Sequence, residues 1–391
     1  MARYFIVIIL VLSAIPAKTQ VILQTVLDSI AENNLHIRAS LLDSEAQTMK
    51  AKTGISPSDP EVIYGHFPGT TAGTGTKTTL NVTQSFDFPL VYARKKQGSS
   101  LAEKQNNEVF RNEKRHVLYT AASSFIEFVY LGQLISEYSR RADEAASALE
   151  LTLKSMQAGN ANQIELNKAQ IEALHWKNEL NMLNVKKQQH ERNLATLNNG
   201  KPIDLAGAVY PYWHLPSPDS IYQTALLNDP VVKALEYEVM LADNNRKLQQ
   251  SLWMPKMSAG YGQEITPGES YKGIQAGISV PLWQNKNTVK YARLQEESVR
   301  GKAEVYKQRL SDEIINRHQS VKALQDNLGT YGRALETIKT ADLLKKSLDT
   351  GNISILEYYR ELLPWYEMID EYLRTSRDYY SEMLGLMLFY W

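Results

Sequence analysis

Apolar residues alternate with small polar ones in two short stretches, 78–89 and 270–281. In the first, Leu80, Val82, Phe86 and Phe88 fall on one side of an extended chain, and Thr79, Asn81, Thr83, Ser85 and Asp87 fall on the other. In the second, Ile274, Ala276, Ile278 and Val280 oppose Gly273, Gln275, Gly277 and Ser279. A period of two marks a strand. Partner strands are predicted at about 61–67 and 257–266, reached through loops near Gly69–Gly75 and Pro267–Gly268. Each chain then contributes four strands with an apolar face and a small-polar face on which Asp87 is the only charge.

A different rhythm fills two proline-free tracts, 90–201 and 282–363. Val117, Ala121, Phe125, Phe128, Ile135, Tyr138, Ala142, Ala145, Leu149, Leu153 and Met156 recur at steps of three, four or seven, and Leu324, Leu328, Tyr331, Leu335 and Ile338 repeat that spacing. This is coiled-coil periodicity in sequence rich in helix formers. A helix from about 98 to about 156 would be roughly 85 Å long at 1.5 Å per residue. Each tract contains Gly-Asn, Gly159-Asn160 and Gly351-Asn352, where glycine suits a left-handed helix end and a second helix follows at once. Each tract therefore folds into a helical hairpin. Shorter helices are expected at about 23–53 and 219–252.

The two halves match at a constant offset of 192 residues, which carries Phe86, Phe88 and Pro89 onto Ile278, Val280 and Pro281, Gly159 onto Gly351, and Glu165 onto Glu357. The chain is a duplication. Its predicted organisation is a leader at 1–19, a first repeat of helix, two strands and helical hairpin at 20–201, a linker at 202–218 containing Tyr210, Tyr212 and Trp213, and a second such repeat at 219–391.

Composition narrows the function. Forty-three basic and 43 acidic residues leave a net charge of zero, so no basic field points to nucleic acid. Arg3 followed by Phe5 through Leu12 and small residues to Ala17 reads as a cleaved secretory signal. With no cysteine, neither disulfides nor an N-terminal lipid anchor is expected. After leader removal no stretch approaches the ~20 apolar residues of a spanning helix, so any crossing falls to strands. Four strands cannot close a membrane barrel, because about eight is the smallest and an open edge in lipid leaves backbone groups unpaired. Closure demands several copies; three would give twelve strands.

Secretion signal, duplicated helix–strand–strand–helix order, proline after each second strand and glycine at each hairpin tip together resemble the TolC family of outer-membrane efflux proteins. The resemblance extends over essentially the whole mature chain. It implies a mainly helical protein with a small membrane β-barrel: a homotrimeric α/β tunnel with four strands per chain, set in outer-membrane lipid and extending into the periplasm, whose tips meet a periplasmic adaptor and an inner-membrane efflux pump. The run Thr83 to Pro89 with Tyr92 is similar to the subgroup linked to heavy-metal cation efflux. An arginine and an acid that help latch the mouth in well-known members are replaced here by Ile353 and Arg360.

The candidate periplasmic tip and mouth is Gly159, Asn160 and Glu165 with Gly351, Asn352 and Glu357; the candidate lipid-facing residues are Leu80, Val82, Phe86, Phe88, Ile274, Ile278 and Val280. Three copies of Glu165 and Glu357 around a pore would favour cations. The plainer reading makes both glutamates ordinary helix-start acids. Two rivals stand beside the channel: a secreted coiled-coil scaffold or adhesin, and a di-iron helical protein built on Glu113-x-x-His116 and Glu172-x-x-His175. No enzyme motif, cofactor site or metal site is otherwise expected.

Overall fold

The computed structural model describes residues 16–391, with side chains from Leu23 onward, that of Leu356 apart. Most of the predicted leader lies outside the described residues. The element order is duplicated: helices α1 (Pro16–Asn33) and α2 (Leu35–Ala51), strands β1 (Glu61–Pro68) and β2 (Thr76–Phe86), and helices α3 (Pro89–Gln157) and α4 (Gln163–Leu197) are followed by α5 (Pro218–Asn228), α6 (Pro230–Ser251), β3 (Lys256–Thr266), β4 (Glu269–Ser279), α7 (Thr288–Thr337), α8 (Thr340–Asp349) and α9 (Ile355–Met387). Among the described residues no helix is long and apolar enough to cross a membrane.

The chain divides into two compact units, each drawn from separate stretches. One takes residues up to Arg38, Glu113–Ala225 and Leu310–Trp391; its described regular elements are helices, joined in part by the irregular linker, and Phe125, Ile126, Leu194, Ile221, Ile314, Met383 and Leu384 are buried in it. The linker belongs here: Tyr210 stacks on Tyr380 of α9 with ring centroids 4.1 Å apart. The other takes Ala39–Asn112 and Leu226–Arg309 and contains a four-stranded antiparallel sheet, in the order β1-β2-β3-β4.

Several boundaries differ from the sequence reading. Pro89 opens α3 at its first position, where a missing N–H costs nothing, so β2 stops at Phe86 and Phe88 lies in the two-residue connection. Val280 likewise falls just beyond β4. The helix expected at 219–252 is two, because Asp229 caps α6 through Val231 N–H (2.6 Å) and Pro230 cannot continue α5. The helix expected at 23–53 breaks at Asn34, whose Oδ1 accepts from Ile37 N–H at 3.0 Å. In the second hairpin the ascending helix breaks between α7 and α8, so Ile338 leaves the heptad. Threonines and the β-branched Ile338 crowd Thr337–Thr340, and Thr337 Oγ1 donates back to the Arg333 carbonyl at 2.8 Å. Pro364, by contrast, sits inside α9 without ending it. Leu362 and Tyr366 on either side are buried, and their packing offsets the roughly 3 kcal/mol that an interior proline costs.

Candidate functional site

The hairpin tips are built alike. After α3, Gly159 has φ 78°, its N–H donates to the Met156 carbonyl at 3.0 Å, and Asn160 N–H donates to the Ser155 carbonyl at 2.8 Å. After α8, Gly351 has φ 72°, and the matching bonds run from Gly351 to Leu348 and from Asn352 to Ser347, both at 2.9 Å. This pair of bonds is the Schellman motif, and only glycine enters its left-handed position without strain. Each tip then starts a new helix with a capping box. Asn162 Oδ1 accepts from Glu165 N–H (3.0 Å) while Glu165 Oε2 accepts from Asn162 N–H (2.9 Å). Ser354 Oγ accepts from Glu357 N–H (3.2 Å) while Glu357 Oε2 accepts from Ser354 N–H (2.9 Å).

Those bonds give Glu165 and Glu357 the helix-start role of the plainer reading. Hydrogen bonds from the Ser354 backbone and side chain hold the exposed Glu357 carboxyl below its ordinary value, with Arg360 adding to the shift. An ionised carboxylate offers about four acceptor sites, so capping leaves capacity for a passing cation.

The sheet register decides which residues share a face. Val62, Val82, Tyr261 and Ile274 lie side by side in one row across all four strands, and Phe86, Met257 and Ile278 in another. Tyr64, Leu80, Gln263 and Lys272 form the next row toward the loops. Leu80, Val82, Phe86, Ile274 and Ile278, chosen from two segments far apart in sequence, therefore occupy one face. The face is bare: Ile274 is 92% exposed. The opposite face carries Thr79, Asn81, Thr83 and Ser85 beside Ser258, Gly260, Gly262, Gly273 and Gly277. It is more charged than the sequence reading held: β2 and β4 run further toward the loops and bring in Lys77 and Glu269, and Glu264, already within the predicted 257–266 strand, also lies on this face. Lys77 and Glu264 pair at 2.7 Å. Asp87 lies past β2 and pairs with Lys95 (3.3 Å) and Lys256 (3.6 Å). Its N–H donates to Tyr92 Oη at 2.8 Å.

One cluster was invisible in the sequence. Arg141 of α3 is 1% exposed, with its guanidinium 4.3 Å from the Tyr366 ring centroid, 4.8 Å from Tyr138 and 5.1 Å from Trp176. Nη1 and Nη2 donate to the two Asp370 oxygens at 3.0 and 2.7 Å, Nε donates to Glu137 at 3.0 Å, and Nη2 also donates to the Tyr366 carbonyl at 3.2 Å. Burial works against the charge, but the bonds and fields of Asp370 and Glu137 outweigh it and raise the Arg141 pKa. Burial and the Asp370 charge push the Tyr138 phenol up to about 12. The cage ties α3 and α4 of the first hairpin to α9 of the second. Its only sequence signal was an arginine among heptad residues; Asp370 is 229 positions away.

The two Glu-x-x-His pairs serve other partners. Glu113 lies 3.4 Å from His36, and Glu172 accepts from Trp176 Nε1 at 2.7 Å. No group of three or more metal-ligating side chains occurs among the described residues, so nothing in them supports the di-iron rival.

No family model matches the sequence. An uncharacterized protein of Haemophilus influenzae is 22% identical over 302 residues, and the match spans 73% of this chain but 63% of that protein's length. Solved structures give the fold. CusC superposes with TM-score 0.79 at 15% identity, covering 94% of this chain and 91% of that one. The outer membrane channel CmeC of Campylobacter jejuni gives 0.72 at 14%, covering 94% and 85%, and the open-state outer membrane channel MtrE of Neisseria gonorrhoeae gives 0.72 at 17%, covering 94% and 88%. The chain has the TolC-type fold: a helical tunnel element carrying a four-stranded share of a barrel.

Proposed function

We propose that this protein is the outer-membrane exit duct of a tripartite efflux system. Three copies join edge to edge, their four-stranded sheets closing into a twelve-stranded barrel with the apolar face toward lipid. The observation that carries this is the sheet: one face on which Val62, Val82, Tyr261, Ile274, Phe86, Met257 and Ile278 form apolar rows, with Gln84 between them and Gln263 and Lys272 in the row nearer the loops, one glycine-rich polar face, and open outer edges on β1 and β4. An open edge in hydrocarbon leaves backbone N–H and C=O groups unpaired at several kcal/mol each, so β1 of one copy pairing β4 of the next is the arrangement that lipid tolerates. Strands of 11 residues tilted by about 40° cross an apolar band of about 25 Å.

In this reading the duct is passive and has no catalytic residues. The duplicated hairpins form the periplasmic tunnel, with repeat boundaries at 20–201 and 219–391 about the 202–218 linker, and the Gly159 and Gly351 tips meet a periplasmic adaptor and inner-membrane pump. Small solutes or heavy-metal cations are the cargo, steered by three copies each of Glu165 and Glu357. Detergent extraction from outer-membrane fractions with sizing, followed by planar-bilayer recording, tests the reading. A cation-preferring trimeric pore whose reversal potential moves toward neutrality in Glu165→Gln with Glu357→Gln is expected. A soluble monomer would overturn the duct, and an unmoved reversal potential would return the glutamates to capping alone.

A further inference from the structure

The 192-residue offset also sets Pro281-Leu282-Trp283 against Pro89-Leu90-Val91, yet the two segments differ in structure where β4 and β2 lead toward their helices. Pro89 starts α3, and Val91 is turned into the protein at 2% exposure. Pro281 starts no helix; α7 begins only at Thr288. Residues 281–287 form a fixed turn instead. Lys286 N–H donates to the Trp283 carbonyl at 3.1 Å, Thr288 Oγ1 donates to the Asn285 carbonyl at 2.9 Å, and Asn287 takes φ 65°. The turn holds Trp283 80% exposed, with Leu282 exposed beside it.

Asn285 Nδ2 donates to the Leu252 carbonyl at 2.5 Å, which ties this turn to the one that carries Trp253 and Met254, both exposed, into β3. Met257 and Ile278 pair a few residues further on, so the two tryptophans sit where the apolar rows of the sheet end. Lys286 and Lys290 are exposed in the loop and in the first turn of α7, and among the described residues neither is in an ion pair. Asp87, at the same end of the sheet, is already matched by Lys95 and Lys256. Water is a poor surrounding for an indole ring, whereas the headgroup boundary of a bilayer accepts its apolar body and its N–H together. Lysines at that level meet lipid phosphate. We propose that the 281–287 loop, with Trp253 and Lys290, binds an anionic phospholipid headgroup in the leaflet nearer the helices. This rests on the lipid-facing barrel proposed above. The first repeat offers no such site at the matched place, because Pro89 continues into a helix and Val91 is packed inside.

The chain has no cysteine, so Gln284→Cys carries a single fluorescent probe beside the intact Trp283. The full-length protein is reconstituted in phosphatidylcholine bilayers, and quenching by doxyl-labelled phosphatidylglycerol is compared with quenching by doxyl-labelled phosphatidylcholine. The anionic lipid should quench at lower mole fraction, and Lys286→Gln with Lys290→Gln should lower that preference by about fivefold per lysine. Trp283→Ala should weaken quenching by both lipids. The same probe at Asn160, on the hairpin tip, should be quenched by neither. Equal quenching by the two lipids, or a preference that survives loss of both lysines, overturns the headgroup site and leaves the duct intact. A probe at 284 that responds only to aqueous iodide overturns the site by placing the loop in water, and one that responds to no quencher does so by placing it under protein. A protein that stays monomeric and does not enter bilayers overturns both site and duct.

Discussion

Two arginines eighteen residues from identical turns end up in opposite worlds. Both tips fold through the same two backbone bonds and the same capping box, down to distances within a few tenths of an ångström. Yet Arg141 is sealed among Tyr138, Trp176 and Tyr366, while Arg333 lies exposed on its helix. The turns are fixed within eleven consecutive residues, 155–165 and 347–357, in which the glycine, a capping Asn or Ser and the glutamate hold the same places. A buried charge depends on what another helix presents, and Tyr366 and Asp370 have no counterpart in Leu174 and Asn178.

The largest break in that comparison should come from Asp370→Ala. Removing one partner of a buried ion pair leaves the other charge stranded, a loss of about 3–5 kcal/mol. Arg333→Ala should stay within about 0.5 kcal/mol. Urea midpoints of the detergent-solubilised protein would separate them, and equal shifts would mean that the cage contributes no more than a surface pair. Arg141→Met with Asp370→Leu should recover most of the loss, because a buried pair is often replaceable by apolar residues of similar volume.

Neighbouring positions on β2 should differ nearly as much. Phe86→Arg costs roughly 2–4 kcal/mol if its face meets lipid, and Ser85→Arg costs little if its face meets the lumen. Outer-membrane yield of heat-resistant trimer measures this; equal losses would sink the facing assignment. The tips come next. Nothing lies within 4 Å of a Cβ added at Gly159 or Gly351, so Gly→Val there costs only the left-handed conformation, about 1–3 kcal/mol, and the same at both. Asn at either site should be tolerated better. The valine variants should still form trimers but lose efflux, read as metal or drug tolerance of the host.

The smallest effects lie in the caps. Asn162→Ala and Ser354→Ala should each cost about 1 kcal/mol near neutrality. The contribution of Glu357 carries a pH signature. Its folded pKa is depressed, so its stabilisation is complete above the ordinary value of 4.5 and is lost as pH falls through the lower folded value. Stability of wild type and Glu357→Gln measured from pH 7 downward should converge in that window. A constant gap would show that the capping bond does not depend on charge.

Much of this was written along the chain. Alternation at Leu80, Val82, Ile274 and Ile278 located β2 and β4, and Gly159 and Gly351 marked both tips, since strand period and left-handed turns are local properties. The proline that ends one element and starts the next was half legible: Pro89 was seen closing a strand, but its place as first residue of α3 depended on the helix behind it. The α7–α8 break was legible only in hindsight, in Thr337, Ile338 and Thr340.

Sequence alone determined the duplication, the strand faces, the turns and the caps, because each rests on residues within one or two turns or strands of each other. Tertiary structure alone decided that five apolar residues from two distant strands line one face, that Arg141 is caged while Arg333 is not, and that Pro364 survives inside α9. Those outcomes depend on pairing register and on burial by helices up to 229 positions away, where the free energy of desolvating a ring or a charge is set by the partner and not by the neighbours in sequence.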